Sequence, residues 1–315
     1  MARQNKLLIA TGCDSNFFPN LRILLGSWMT HMADFEIVVC DFGLTKTQID
    51  EIILTPRLRI LSTPKVIDEP WFGKTLIYTL LGECINEIDA LMWIDADAFF
   101  NSRLPDIWPI LEGYDILIDA HIQSVGELSD IKNIRDYSLR KDDAYFSAGC
   151  WIARPGNFLK RYQDIGSVTR DRIFWEPDAF VSAIYLEKLK IRTINGSIWH
   201  SRGKTSLKTC SINNLTAFHH NQPIYVIHAN AFYHVRKDGR RILNRPKLAQ
   251  LQDHYENIYN IKMRGEHKTK NNVLSFLYYY SAYFFITIGS YLKKVIKNII
   301  ILLGIHKVLK KIIAA

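Results

Sequence analysis

The chain has 315 residues, of which 48% are hydrophobic and 23% charged, with a mean hydropathy of −0.04. This excludes a disordered protein and fits one large domain or a domain with an appendage. The formal net charge is +9, yet no acidic residue follows Glu266 while Lys268, Lys270, Lys293, Lys294, Lys297, Lys307, Lys310 and Lys311 all do; a near-neutral body argues against a nucleic-acid partner, and the basic tail points to an anionic surface.

The N-terminal apolar run in MARQNKLLIATG is too short for a secretory signal and reads instead as a first strand over Lys6 to Thr11, ending in the polar turn Gly12-Cys13-Asp14-Ser15-Asn16. Helical spacing of Leu21, Leu24, Leu25 and Trp28 predicts a helix from Asn20 to His31. Glu36 to Cys40 reads as a second buried strand, so the first two strands should be parallel with a right-handed crossover. Thr45 can cap a helix running to Leu54, and Leu58 to Leu61 is a third strand. After a loop from Pro64 to Pro70, Trp71 to Ile88 is rich in Leu and Ile and predicts one helix leading into the next strand.

That next strand is the apolar run Leu91 to Ile94, which enters Asp95-Ala96-Asp97 directly. Two carboxylates one residue apart at the carboxyl end of a buried strand can face one cation where the backbone turns. Oxygen ligands of this kind suit Mn²⁺ or Mg²⁺, ions that commonly hold a diphosphate as well. The bland alternative is one aspartate capping a helix and the other solvated.

Further on, a short helix from Pro105 to Leu111 and a strand from Asp115 to Asp119 precede a polar stretch from His121 to Asp143, read as a loop beside the site. In AYFSAGCWIAR, Ala144 to Arg154, the small residues Ser147, Ala148 and Gly149 allow close backbone approach to something bulky. Helices follow at Asn157 to Ile165 and Pro177 to Leu189, with a strand at Ile191 to Ile194. Asn195 to Gln222 is polar and basic and reads as a flexible segment over the site. Ile224 to Ile227 is a late strand with His228 at its end.

Cys13, Cys40, Cys84, Cys150 and Cys210 show no C-x-x-C spacing, which predicts a reduced, cytosolic compartment. Two glycosylation patterns, Asn195-Gly196-Ser197 and Asn214-Leu215-Thr216, are therefore taken as chance. In the tail, Val273 to Leu292 carries no charge, and Tyr291 to Ile313 sets Lys293, Lys297, Lys307 and Lys311 opposite Ile, Leu and Val. The second piece is an amphipathic, interface-seeking helix. The first has the length to span a bilayer, but its tyrosines and serines favour lying on or dipping into the membrane.

A strand ending in Thr11-Gly12-Cys13-Asp14, the Asp95-Ala96-Asp97 turn, the Phe146-Ser147-Ala148-Gly149 segment and His228 after a late strand occur in a known order. On these the chain, over roughly residues 5 to 240, resembles the GT-A nucleotide-sugar glycosyltransferases, most nearly those like glycosyltransferase family 8. The resemblance implies an α/β fold with a mixed, mostly parallel sheet flanked by helices. It also implies Mn²⁺ (or Mg²⁺) held by Asp95, Asp97 and His228 against the diphosphate of a nucleotide sugar, a UDP-sugar above all. Ala10, Thr11, Asp14 and Asn16 would contact the nucleotide, Ser147, Ala148 and Gly149 the donor sugar, and Lys74 and Ala96 would lie beside the donor. The family's glycine and lysine soon after the histidine are absent here, which leaves His228 open between ligand and buried structural histidine, with His234 as the fallback. Diphosphate contacts could come from Arg236, Lys237, Arg240, Arg202 or Lys204.

Transfer also requires a group to take the acceptor's proton or to orient the donor. Glu176 and Asp178 are the carboxylates in the matching region, although either could merely complement a helix N-terminus. The expected organisation is a catalytic domain over residues 1–265 and a membrane-associating tail over residues 266–315. A peripheral or monotopic position on the cytoplasmic face of the inner membrane follows, with a glycan or lipid-linked acceptor in surface polysaccharide or lipopolysaccharide synthesis. Two other readings stay open: a haloacid-dehalogenase-like phosphatase, and a membrane-associated scaffold that keeps the fold without the chemistry.

Overall fold

The computed structural model describes residues 5–62, 70–128, 139–168, 176–201, 211–213, 215–228, 233–235, 241–243 and 246–264. They group into two units, one formed by Met1–Ala231 with Leu251–His267, the other including Phe232–Gln250. In the first unit the order opens β1 (Leu7–Cys13), α1 (Phe18–His31), β2 (Glu36–Asp41), α2 (Lys46–Ile52) and β3 (Leu58–Ser62). Then come α3 (Ile77–Leu81), β4 (Ala90–Ile94), β5 (Ala98–Phe100), α4 (Trp108–Leu111), β6 (Ile116–Ser124), α5 (Val125–Leu128) and β7 (Ala144–Ala153). After these follow α6 (Asn157–Val168), α7 (Glu176–Leu186), β8 (Ile191–Thr193), α8 (Gly196–Trp199), β9 (Ser211–Asn213), β10 (Thr216–His219), β11 (Gln222–Pro223) and β12 (Val226–His228). The chain continues through the antiparallel hairpin of β13 (Tyr233–Val235) and β14 (Arg241–Leu243) into α9 (Pro246–Arg264).

Seven strands form one sheet in the order β3-β2-β1-β4-β7-β6-β8. Only β7 runs against its neighbours; the other adjacent pairs are parallel. This is the mixed, mostly parallel α/β sheet expected from the sequence. Its central strands are uninterrupted apolar runs because both faces are covered. With a two-residue period, Leu7 and Ile9 face Leu21, Leu24, Leu25, Trp28 and Tyr259, while Leu8 and Ala10 face the side of Phe158, Tyr162 and Phe180.

The cap at Thr45 is present as a reciprocal capping box with Gln48. The single helix expected over Trp71 to Ile88 is not. Pro70–Leu76 is a 3₁₀ turn, α3 is a short α segment, and Gly82–Glu87 is again 3₁₀. Gly82 adopts φ +51°, which breaks the helical path. Gly73 lies so close to the Phe42 ring that an added Cβ would come within 2.6 Å of it.

The segment expected to be a flexible cover also differs. Among its described residues, Asn195 caps α8 and β9, β10 and β11 form a small antiparallel sheet. The reason is a fully buried amide: Asn101 Nδ2 donates to the Ala217 and Ile224 carbonyls at 3.0 and 2.6 Å, and its Oδ1 accepts from the Ala217 N–H at 2.8 Å. A buried amide satisfied on three sides holds the segment to β5.

No described helix is long and apolar enough to cross a membrane. The tail over residues 266–315, with its expected boundary, lies outside the described residues. Helix α9 packs on α1 where Gly26 meets the Tyr255 carbonyl, and a Cβ at Gly26 would overlap that oxygen. Backbone cannot yield as a side chain can, so Gly26→Ala is expected to cost about 2 kcal/mol or more in urea denaturation. A change under about 0.5 kcal/mol would show that α9 does not dock there.

Candidate functional site

Strand β4 ends at Ile94 and β5 begins at Ala98, so Asp95-Ala96-Asp97 forms the turn between two strands. The turn is held by the Asp95 N–H donating to the Gly149 carbonyl and the Ala98 N–H donating to the Asp95 carbonyl, both at 2.9 Å. Strand β12 pairs antiparallel with β5 in the register His228 to Ala98, which carries the imidazole to the residue beside Asp97. His228 Nε2 lies 2.9 Å from Asp97 Oδ1. Asp95, Asp97 and His228 together offer ligand atoms within 4.8 Å of one another.

The floor of this cluster is Gly149. A Cβ there would stand 2.9 Å from Asp95 Oδ2 and 3.0 Å from His228 Cε1, so a side chain would press on both groups. Two carboxylates and an imidazole around a cradle of that kind fit Mn²⁺ or Mg²⁺, with the nitrogen favouring the transition metal. Asp95 Oδ1 is already taken, accepting from Trp93 Nε1 at 2.7 Å and from Lys74 Nζ at 3.3 Å. That leaves Oδ2 toward Gly149.

Lys74 joins the cluster to a second buried acid. Its ammonium lies 2.8 Å from Glu176 Oε2, and Tyr162 donates its hydroxyl to the other oxygen of Glu176. Lys74 is placed by ring packing: Phe42 is gripped between Gly12 and Gly73, each too close to that ring to admit a Cβ. The two glycines thus let the 3₁₀ turn lie against the end of β1.

The structure brings Lys74, Asp95, Asp97, Gly149, Glu176 and His228 together. Asp178 is fully buried on α7, where it accepts from the Tyr145 hydroxyl at 3.0 Å. Ser147 is buried in β7 with its hydroxyl near the Gly149 N–H, while Ala10, Ala96 and Ala148 turn into the core. At the end of β1, the buried Thr11 hydroxyl has no partner among the described residues. Asp14 is occupied by the turn into α1, accepting from Asn16 Nδ2 and the Phe17 N–H at 2.7 and 3.1 Å. Arg202, Lys204, Arg236, Lys237, Arg240 and the His234 side chain lie outside the described residues.

Three neighbours were missed in the sequence: Trp93, Tyr162 and His200. Trp93 was findable, since it sits two residues before Asp95 and hence on the same strand face. His200, whose Nε2 is 3.0 Å from His228 Nδ1, carried no periodic signal.

No family model matches the sequence and no curated protein does. Among solved structures, an active-site mutant of LgtC superposes with a TM-score of 0.52 at 11% identity, over 78% of this chain and 95% of that one. Galactosyltransferase LgtC in complex with donor and acceptor sugar analogues gives 0.49 at 12%, over 80% and 95%. The bifunctional glycosyltransferase WbbM gives 0.47 at 16%, over 65% of this chain, which spans only 42% of that protein's length. The first superposition establishes the GT-A-like fold for this chain.

The charges in the cluster are interdependent. Burial alone would raise the Asp97 carboxyl, but His228, a backbone hydrogen bond and Lys74 together hold the group below its ordinary value. Burial would also strip the Lys74 proton, yet Asp95 and Glu176 hold it and raise its pKa instead. Glu176 goes the other way: burial pushes it up to about 7 against the pull of Lys74, with Asp95 and Asp178 adding to the rise. A carboxyl raised from 4.5 in the folded state favours folding below pH 4.5, and that contribution is lost as pH climbs through 7. Between pH 4.5 and 8 the protein should therefore lose about 3 kcal/mol of stability relative to Glu176→Gln, with the Asp97 contribution common to both. Urea denaturation at the two pH values checks this, and a constant difference would mean Glu176 titrates normally.

Proposed function

We propose that the protein is a glycosyltransferase that moves a sugar from a nucleotide-diphosphate donor, a UDP-sugar, to a glycan or lipid-linked acceptor with the help of a divalent cation. The observation that carries this reading is the Asp95, Asp97 and His228 cluster, within 4.8 Å, at the strand ends of a GT-A-like sheet. LgtC was crystallised with donor and acceptor sugar analogues, and a comparable pairing of ligands is what is proposed here. Bound there, Mn²⁺ or Mg²⁺ would counter the charge that develops on the leaving diphosphate.

The residues of the chain divide the remaining work. Asp95 is steadied by Trp93 and Lys74 on one oxygen, so the other keeps a defined direction. Gly149 keeps the space open, and Ser147 lies next to it on β7. Glu176 stands beside Lys74 within the same charge network and is the carboxylate placed to orient a donor hydroxyl or hold a proton. Asp178, two residues on in α7, is fully buried and accepts from the Tyr145 hydroxyl. The nucleotide would lie along the ends of β1 and β2, where Thr11 has an unused hydroxyl.

In a thermal-shift screen, a UDP-sugar with Mn²⁺ should stabilise the protein while either alone does less. Asp95→Ala and Asp97→Asn should each reduce Mn²⁺-dependent turnover about 100-fold or more. Failure of every nucleotide sugar to bind, or full transfer by both variants, would sink the reading. Phosphomonoester hydrolysis in its place would favour a phosphatase.

We infer further that the eight lysines after Glu266 hold the protein to an anionic membrane on the cytoplasmic face, where a surface-glycan acceptor would be reached. A chain truncated after Asn271 should appear in the soluble fraction on cell fractionation. A truncated chain that still sediments with membranes overturns the inference.

A further inference from the structure

We infer that His200 is a positioning residue for the metal cluster: its buried imidazole sets the tautomer and orientation of His228. The inference rests on the proposed metal role of His228 and goes beyond it, since His200 is not itself one of the three clustered groups.

The placement is built by backbone rather than by the side chains themselves. Asn195 caps the single turn of α8 by accepting from the Ser197 N–H at 3.0 Å, and the His200 N–H closes that turn on the Gly196 carbonyl at 3.2 Å. The chain then runs beside β12. Tyr225 N–H donates to the Ile198 carbonyl at 2.7 Å, Ser201 N–H to the Val226 carbonyl at 2.8 Å, and His228 N–H to the Ser201 carbonyl at 2.9 Å. Trp199 packs edge-on against Tyr225, ring centroids 5.1 Å apart, on the outer side of the same ladder. This pairing leaves His200 fully buried and facing His228, with ring centroids 5.0 Å apart.

Geometry then constrains the protons. His228 turns Nε2 toward Asp97 Oδ1 and Nδ1 toward His200 Nε2, at 2.9 and 3.0 Å. A ring nitrogen can ligate a cation only through a free lone pair, so a cation bound on the aspartate side would displace the proton that Nε2 donates to Asp97 and leave the ring's proton on Nδ1. Nδ1–H must then donate to His200 Nε2, which accepts only if His200 carries its own proton on Nδ1. A histidine ligand whose second nitrogen is held this way gains both orientation and basicity, and losing such a partner typically weakens metal binding about 10- to 100-fold.

The test measures Mn²⁺ affinity of the full chain without donor, from the electron paramagnetic resonance signal of free aquo-Mn²⁺. His200→Phe keeps a ring but offers no acceptor and should bind Mn²⁺ about 10- to 100-fold more weakly. His200→Gln presents an amide oxygen to Nδ1–H and should stay within a few-fold of the parent. Parent-like affinity in His200→Phe, or an equal loss in both variants, would overturn the positioning role and leave the metal reading intact. No Mn²⁺ binding by the parent would overturn both. Should His200→Phe not fold, ¹⁵N NMR of the histidines in the parent with Zn²⁺ decides. A proton on His228 Nδ1, coupled across the hydrogen bond to His200, is expected, and a proton on Nε2 refutes the inference.

Discussion

The pairing of β12 with β5 is the constraint on which the site depends. Three residues of antiparallel ladder, Val226 to Phe100, Ile227 to Phe99 and His228 to Ala98, join segments separated by well over a hundred residues of sequence. Because side chains alternate along a strand, a one-residue slip would turn His228 to the opposite face and away from Asp97. The register is guarded from both sides. Asn101 ties the end of β5 to Ala217 and Ile224, and Ser201 bridges to Ile227 along the other edge of β12. Buried amide and backbone groups have no water to fall back on, so these bonds enforce one alignment.

A second layer of the site is a chain of buried charge. Glu176, Lys74 and Asp95 form a line in which one cation serves two acids, and Asp97 and His228 continue it on the other side of the turn. Two carboxylates and an imidazole converge at the turn, a donor set that suits a divalent cation. The ion pair is expensive to bury and gains its value from hydrogen bonds at every oxygen it can supply. Trp93 and Tyr162 provide two of these. Glu176 is the member whose charge burial disfavours, its carboxyl pushed up to about 7.

Much of this was legible along the chain. The strands β1, β2 and β4 are continuous apolar runs, and their carboxyl ends are marked by the first polar residues after them, so Asp95 and Asp97 could be placed at a ligand-binding edge without coordinates. Trp93 was equally accessible through the two-residue period. The helix expected over Trp71 to Ile88 fails because Gly73 is needed where the Phe42 ring leaves no room for a Cβ, and Gly82 where the backbone turns through a positive φ. The polar stretch from Asn195 has the composition of a loop. Its order comes from Asn101, a partner more than a hundred residues before Ala217 and Ile224 that local composition does not reveal.

The sequence by itself determined the buried strand that carries the two aspartates, because burial and periodicity are local properties written into neighbouring residues; the class of sheet and the late histidine were implied by the family resemblance, which left His228 and His234 both open. Only the tertiary structure decided which groups meet: His228 with Asp97, Lys74 with Glu176, and His200 with His228. It also gave Glu176 and Asp178, two residues apart on one helix, different hydrogen-bond partners, Lys74 and Tyr162 for the first and Tyr145 for the second. These outcomes depend on register, crossover and close packing between distant segments, and a one-dimensional pattern contains no distances of that kind.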